Sequence, residues 1–134
     1  MTIAIWSSRY ETGIDLIDSQ HQTLFAAVNQ LADSFKTGTA GHQISESLDF
    51  LVKYTDEHFH AEEHYMREVG YPGLASHLAE HAKLMKQVRD LQGKMACGEP
   101  VTMDVTIFLA DWLKQHINDS DMGYVEFMKQ KARE

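Results

Sequence analysis

The sequence predicts an all-α chain, an up-down-up-down four-helix bundle preceded by an extended N-terminal arm. Three observations predict it. Apolar residues recur every three to four positions in four long segments, the period of an amphipathic helix. Short stretches rich in Gly and Pro separate those segments, and short connections make neighbouring helices antiparallel. Nowhere does a run of β-branched residues alternate as a strand would. At 134 residues the chain suffices for one domain with a sizeable core, and its composition shows no break that would divide residues 1–134 into two.

The arm covers roughly residues 1–17, where periodicity is not sustained, and Trp6, Tyr10 and Ile14 are expected to pin it to the bundle. Ser19 and Gln22 read as a capping box opening a first helix over roughly 19–37, with Leu24, Phe25, Val28, Leu31 and Phe35 as its apolar stripe. Gly38 and Gly41 break the chain. A second helix, roughly 41–67, carries Ile44, Leu48, Leu51 and Thr55. Gly70-Tyr71-Pro72-Gly73 is a turn, with Pro72 at or just before the start of a third helix over roughly 72–97. That helix shows Leu74, Leu84, Val88, Leu91 and Met95 on one face and stops at Gly98-Glu99-Pro100. Thr102 is the expected cap of the fourth, roughly 102–131, with Asp104 in its first turn, Val105, Leu109 and Trp112 inward and a basic end at Lys129, Lys131 and Arg133.

The formal charge of −8, with Lys and Arg scattered, argues against nucleic acid or an anionic membrane as partner. The first residues lack a basic region followed by a long apolar stretch, and no apolar run reaches membrane-spanning length. Cys97 is the only cysteine, so an intrachain disulfide is impossible and a reducing cytoplasm is the expected location; Cys97 reads as a small residue at a helix end.

Function is carried by side chains able to bind metal at helical spacing: His21; His58 and Glu62; His77 and His81; His116 and Asp121. Five imidazoles and two carboxylates exceed the needs of one first-row ion with an open position and suit two. Iron accepts this ligand mixture, and bundle sites are built from inward side chains on facing helices. The chain has eight histidines, and helical phase sorts them. At ~100° per residue, Glu62 falls about 40° from His58, within the buried stripe. His60 and His64 form an equally metal-like H-x-x-x-H pair, yet they fall roughly 160° and 120° away, on the solvent face. His42 precedes the apolar stripe of its helix and also reads as a surface residue. His77 and His81 continue the stripe of Leu84, Val88 and Met95. Burying so many polar rings costs several kcal/mol unless something satisfies them, and metal coordination does so.

Asp121 follows His116 by five residues, about 140° around a regular helix, whereas Asp119 is closer in phase. The apolar stripe slips at the same place: Tyr124, Val125 and Met128 are in phase with Asp121 and out of phase with His116. One extra residue, inserted as a π-type turn between His116 and Asp121, would reconnect the two stripes and aim both ligands inward.

The ordered pattern H…H-x-x-x-E…H-x-x-x-H…H-x-x-x-x-D resembles that of the hemerythrins, specifically the single-domain bacterial hemerythrins. The stretches Ile17-Asp18-Ser19-Gln20-His21, His58-Phe59-His60-Ala61-Glu62-Glu63 and Trp112-Leu113-Lys114-Gln115-His116-Ile117 also look like that family, and nearly the whole chain takes part. All seven ligand positions are filled. The resemblance implies a non-haem di-iron site (Fe2+/Fe3+) that binds O2 reversibly. His77, His81 and His116 would bind one iron and His21 and His58 the other. Glu62 and Asp121 would bridge them beside an oxo or hydroxo group. O2 would bind end-on at the five-coordinate second iron, as a hydroperoxide hydrogen-bonded to the oxo bridge. Leu24, Phe59, Trp112, Leu113 and Ile117 are the expected apolar O2 pocket, by phase and by similarity.

Ferritin-like di-iron enzymes use more carboxylates, whose negative charge stabilises high-valent iron. Five neutral imidazoles favour the reduced state instead, so the expected role is O2 carriage, storage or delivery and not catalysis. The same residues would also serve an O2 or redox sensor, a di-iron redox enzyme or an iron store, and ligand type alone admits zinc or manganese. A monomer is expected, with a reductase or an O2-consuming enzyme as protein partners.

Overall fold

The structure, a computed structural model, describes residues 3–36, 41–99 and 102–133. It is all-α. Four long rods pack as a bundle: α1 (Asp15–Lys36), α2 (Gly41–Val69), α3 (Leu74–Ala96), and a fourth made of α4 (Met103–His116), a π turn (Ile117–Asp121) and α5 (Met122–Arg133). α1 packs against α2 and α4, and α2 against α3. Gly38 and Pro100, two of the expected breaks, lie outside the described residues, as does the side chain of His42.

The start of α1 differs from the sequence expectation. The helix begins at Asp15, so Ser19 and Gln22 lie inside it and form no capping box. The Ser19 carbonyl accepts the Thr23 hydroxyl (3.1 Å). The entry is instead tied by Asp18, whose carboxylate accepts from the Thr12 backbone N–H (2.7 Å), the Thr12 hydroxyl (2.8 Å) and the Gly13 N–H (3.2 Å). Thr12 Oγ1 in turn accepts the Ile14 N–H (3.1 Å). A charged acceptor satisfies several donors at the chain entry, which outweighs the local Ser-x-x-Gln pattern. Thr102 does occupy the N-cap of α4, but its side chain makes no capping hydrogen bond.

Helix ends follow the expected glycines. Gly70 (φ +70°) ends α2 with Gly70 N–H to Arg67 O and Tyr71 N–H to Met66 O. Gly98 (φ +87°) ends α3 with Gly98 N–H to Met95 O and Glu99 N–H to Lys94 O. Both are Schellman closures, which need a left-handed residue that glycine supplies without a Cβ clash. The arm lies along α1: the Asn29 side chain accepts from Ile3 and Ala4 N–H (2.9 Å each) and donates to Ala4 O (2.8 Å). Trp6 packs edge-on to Phe25, with ring centroids 5.4 Å apart.

The apolar core falls into two parts. The larger holds Leu24, Val28, Leu51, Leu84, Leu109 and Leu113; the smaller holds Met66, Tyr124 and Val125. Between them lies a layer of buried polar side chains.

Candidate metal centre

That layer contains His21, His58, Glu62, His77, His81, His116 and Asp121, each at most 5% exposed. Each helix contributes because these side chains lie one turn from core residues. His21 precedes Leu24 by three, His58 follows Thr55 by three, His81 precedes Leu84 by three, and His116 follows Leu113 by three. Asp121 reaches the layer through the π turn over Ile117–Asp121, while Asp119 is left exposed. His60 and His64, the decoy pair, have side chains 73% and 74% exposed.

The seven form two overlapping groups: Glu62, His77, His81, His116 and Asp121; and His21, His58, Glu62 and Asp121. Within each group the ligand atoms lie within 4.8 Å of one another. The two carboxylates belong to both groups because each divides its oxygens. Glu62 Oε1 faces His81 Nε2 (3.1 Å) and His77 Nε2 (3.6 Å), while Oε2 faces His21 and His58 Nε2 (3.5 Å each). Asp121 Oδ1 faces His77 Nε2 (3.1 Å) and His116 Nε2 (3.3 Å), while Oδ2 faces His21 Nε2 (3.1 Å).

With neither protons nor cations among them, these atoms cannot satisfy one another. His81 Nδ1 donates to Glu63 Oε2 (3.0 Å), the tautomer that leaves Nε2 as the nitrogen free to offer a lone pair to a metal ion. That lone pair faces a carboxylate oxygen at 3.1 Å and His116 Nε2 at 3.0 Å. His77 Nε2 also meets His116 Nε2, at 3.1 Å. Glu62 Oε1, both Asp121 oxygens and both His21 nitrogens are buried without a hydrogen-bond partner among the described residues. Converging lone pairs in a dry core repel, and cations between them remove both the repulsion and the desolvation cost. The residues therefore fit metal ions.

The same need for positive charge shows in the titration behaviour of the metal-free chain. Burial works against a charged His21, but the close approach and negative charge of Asp121 (3.1 Å) and Glu62 (3.5 Å) overcome it and hold the pKa up at about 9. His77 is opposed by burial and raised to about 9 by the same two carboxylates. Burial would raise both carboxyl groups, and Glu62 would raise Asp121 further. The His58 charge and the facing imidazoles depress Glu62, and the close approach of His116, His21 and His77 depresses Asp121, so both stay well below the usual carboxylate range.

Groups that the sequence did not reveal stand behind these side chains, and two of them, Gln20 and Glu63, hold an imidazole by a hydrogen bond. Gln20 Oε1 accepts from His58 Nδ1 (2.7 Å), Glu63 supports His81, and Glu80 Oε1 stands 3.5 Å from His116 Nδ1. The buried Tyr124 hydroxyl donates to Glu62 Oε2 (2.9 Å). Its pKa is pushed far up by burial first and then by the Glu62 charge, so it remains a donor. Phe59 lies flat on the His81 ring (3.6 Å, 1°) and Trp112 on His116 (4.4 Å, 13°).

Of the five expected pocket residues, Leu24, Trp112 and Leu113 line a cavity of about 20 Å³ together with Val28, Leu51, Val52, Thr55, Leu84, Val88 and Leu109. Phe59 and Ile117 are buried but do not line it. The cavity sits in the layer one turn from His21, His58, His81 and His116. Its one hydroxyl, on Thr55, donates to Leu51 O (2.6 Å).

Residues 12–128 match the family model described as "Hemerythrin HHE cation binding domain". The chain is 40% identical to a bacteriohemerythrin of Methylococcus capsulatus, covering 92% of this chain and 95% of that protein. It is 31% identical to a bacteriohemerythrin of Pseudomonas aeruginosa, covering all of this chain and 87% of the other. A crystal structure of wild-type hemerythrin superposes with a TM-score of 0.88 at 39% identity, covering 92% of this chain and 96% of that one.

Proposed function

The chain belongs to the hemerythrin family, and on that premise we propose that it binds O2 reversibly at a non-haem di-iron site, as a carrier or store. The observation that carries this reading is the division of each buried carboxylate between two sets of imidazoles. His77, His81 and His116 would hold one iron, His21 and His58 the other, and Glu62 and Asp121 would bridge them. Such a pair, when bound, supplies electrons and, at the position with two imidazoles, a coordination site for O2.

The chain's own residues account for binding without further reaction. The five ligand imidazoles bring no negative charge, which favours the reduced state. Leu24, Trp112 and Leu113, with Phe59 and Ile117 packed beside the ligands, keep water from the centre. Proton donors are withheld. The Thr55 proton is engaged by Leu51 O, and the Tyr124 proton is held between a raised phenol and Glu62. A site that shields O2 from protons supports carriage over turnover. Loss of electrons to solvent would call for a reductase as partner, and delivery calls for an O2-consuming enzyme. No helix among the described residues is long and apolar enough to cross a membrane. We take a cytoplasmic monomer as the working form.

The test is an optical spectrum of the anaerobically reduced, iron-loaded protein before air, after air and after O2 removal. A near-ultraviolet and visible charge-transfer band that appears with O2 and fades on its removal is expected. Irreversible conversion to the oxidised spectrum would transfer the assignment to a redox enzyme or sensor. No iron-dependent band would overturn the metal assignment.

A further inference from the structure

The two halves of the site are matched in their shared carboxylates and unmatched in what stands behind their imidazoles. Glu62 and Asp121 each turn one oxygen to either side, so neither distinguishes the halves. Behind the three-histidine half stands a carboxylate, Glu63, which accepts the His81 Nδ1 proton at 3.0 Å with only 17% of its side chain exposed. A second, Glu80, held by the Ser120 hydroxyl (2.8 and 2.9 Å), lies 3.5 Å from His116 Nδ1 but makes no hydrogen bond with it, so Glu63 is the one carboxylate shown to accept from an imidazole of this half among the described residues. Behind the two-histidine half stands a neutral amide, Gln20, at 2.7 Å from His58 Nδ1, and His21 Nδ1 has no partner among the described residues.

A carboxylate accepting from one ring nitrogen draws that proton towards itself and makes the opposite nitrogen a stronger donor to a metal. An amide oxygen fixes the ring and its tautomer but adds only a dipole. We propose that the Glu63–His81 pair makes the three-histidine position the tighter of the two metal positions, so that it fills first, with Glu63 as a positioning residue acting through His81. This rests on the two-metal reading of the site. A third imidazole also favours this half, so the effect of Glu63 has to be separated from ligand number. Glu63→Gln keeps the shape and removes the charge; Gln20→Glu places a charge behind His58.

The experiment is a titration of the metal-free full chain with cobalt(II) under chelator competition, repeated with zinc(II) while the histidine ring NMR signals are followed. Two unequal steps are expected, and the first equivalent should move the signals of His77, His81 and His116 before those of His21 and His58. Glu63→Gln should weaken the first step by roughly tenfold, the low end for loss of a partner behind a ligand, and leave the second unchanged. Gln20→Glu should tighten the second step and narrow the gap, and this variant decides the matter if Glu63→Gln fails to fold. Equal weakening of both steps, an unchanged first step in Glu63→Gln, or an unchanged second step in Gln20→Glu would overturn the ordering, as would first occupation of His21 and His58. Absence of cobalt uptake at either step would overturn the two-metal reading itself and this inference with it.

Discussion

Leu113 is one side chain on which the packing and the proposed O2 chemistry meet. It lines the small cavity one turn before His116 and is 7% exposed. Leu113→Asp would bring a titratable group and its water into a cavity whose one lining hydroxyl, on Thr55, is already committed. Faster irreversible oxidation of the O2-bound protein is expected, followed as decay of its visible band; an unchanged rate would place the O2 position elsewhere. Tyr124 works on the opposite side of the polar layer, where its hydroxyl holds Glu62 Oε2. Tyr124→Phe removes that donor from a buried carboxylate. Hydrogen bonds to charged groups contribute about 1.5–3 kcal/mol, so a loss of that order is expected in denaturant unfolding of the metal-free protein. A loss below about 0.5 kcal/mol, less than even a neutral hydrogen bond contributes, would mean that Glu62 finds another donor.

At the scale of the element, the break between α4 and α5 decides which acidic residue enters the core. A regular helix would have presented Asp119 beside His116; the π turn over Ile117–Asp121 carries the extra residue and presents Asp121 instead. Asp121→Ala should reduce cobalt binding from two ions to at most one, whereas Asp119→Ala, His60→Ala and His64→Ala should leave the stoichiometry at two. Loss of an ion in Asp119→Ala would contradict the phase assignment. Much of this was readable from sequence because periodicity is a local signal: the slip of the stripe to Tyr124, Val125 and Met128 marks the extra residue. The beginning of α1 was not readable in the same way. Ser19 and Gln22 have the right spacing for a cap, but Asp18 reaches back to Thr12 and Gly13 and starts the helix four residues earlier. Gln20 and Glu63 escaped for a related reason. Their partners lie 38 and 18 residues away, so no spacing along one helix announces them.

For the whole molecule, burying seven ionisable side chains between two apolar clusters ties folding to the charge at the centre. Without metal, protons supply that charge. His21 and His77 have folded pKa values near 9 against an ordinary 6.5. Groups raised in this way stabilise the fold fully below pH 6.5, and that contribution fades as pH rises through 9. The metal-free protein should therefore lose stability across this window as the carboxylates are left facing lone pairs. Metal binding needs the same imidazoles neutral, so it expels their protons, and its advantage grows as those protons become easier to remove. Both effects have the same sign: the Tm of the metal-loaded chain minus that of the metal-free chain should widen from pH 6.5 to pH 9. Calorimetry of the two forms at pH 6.5, 7.5 and 9 checks this, with proton release on zinc binding as an independent measure that should decline above pH 9. A gap that narrows with rising pH would mean that the protons of the metal-free state reside elsewhere than on His21 and His77, and the balance of charge drawn here for the centre would have to be abandoned.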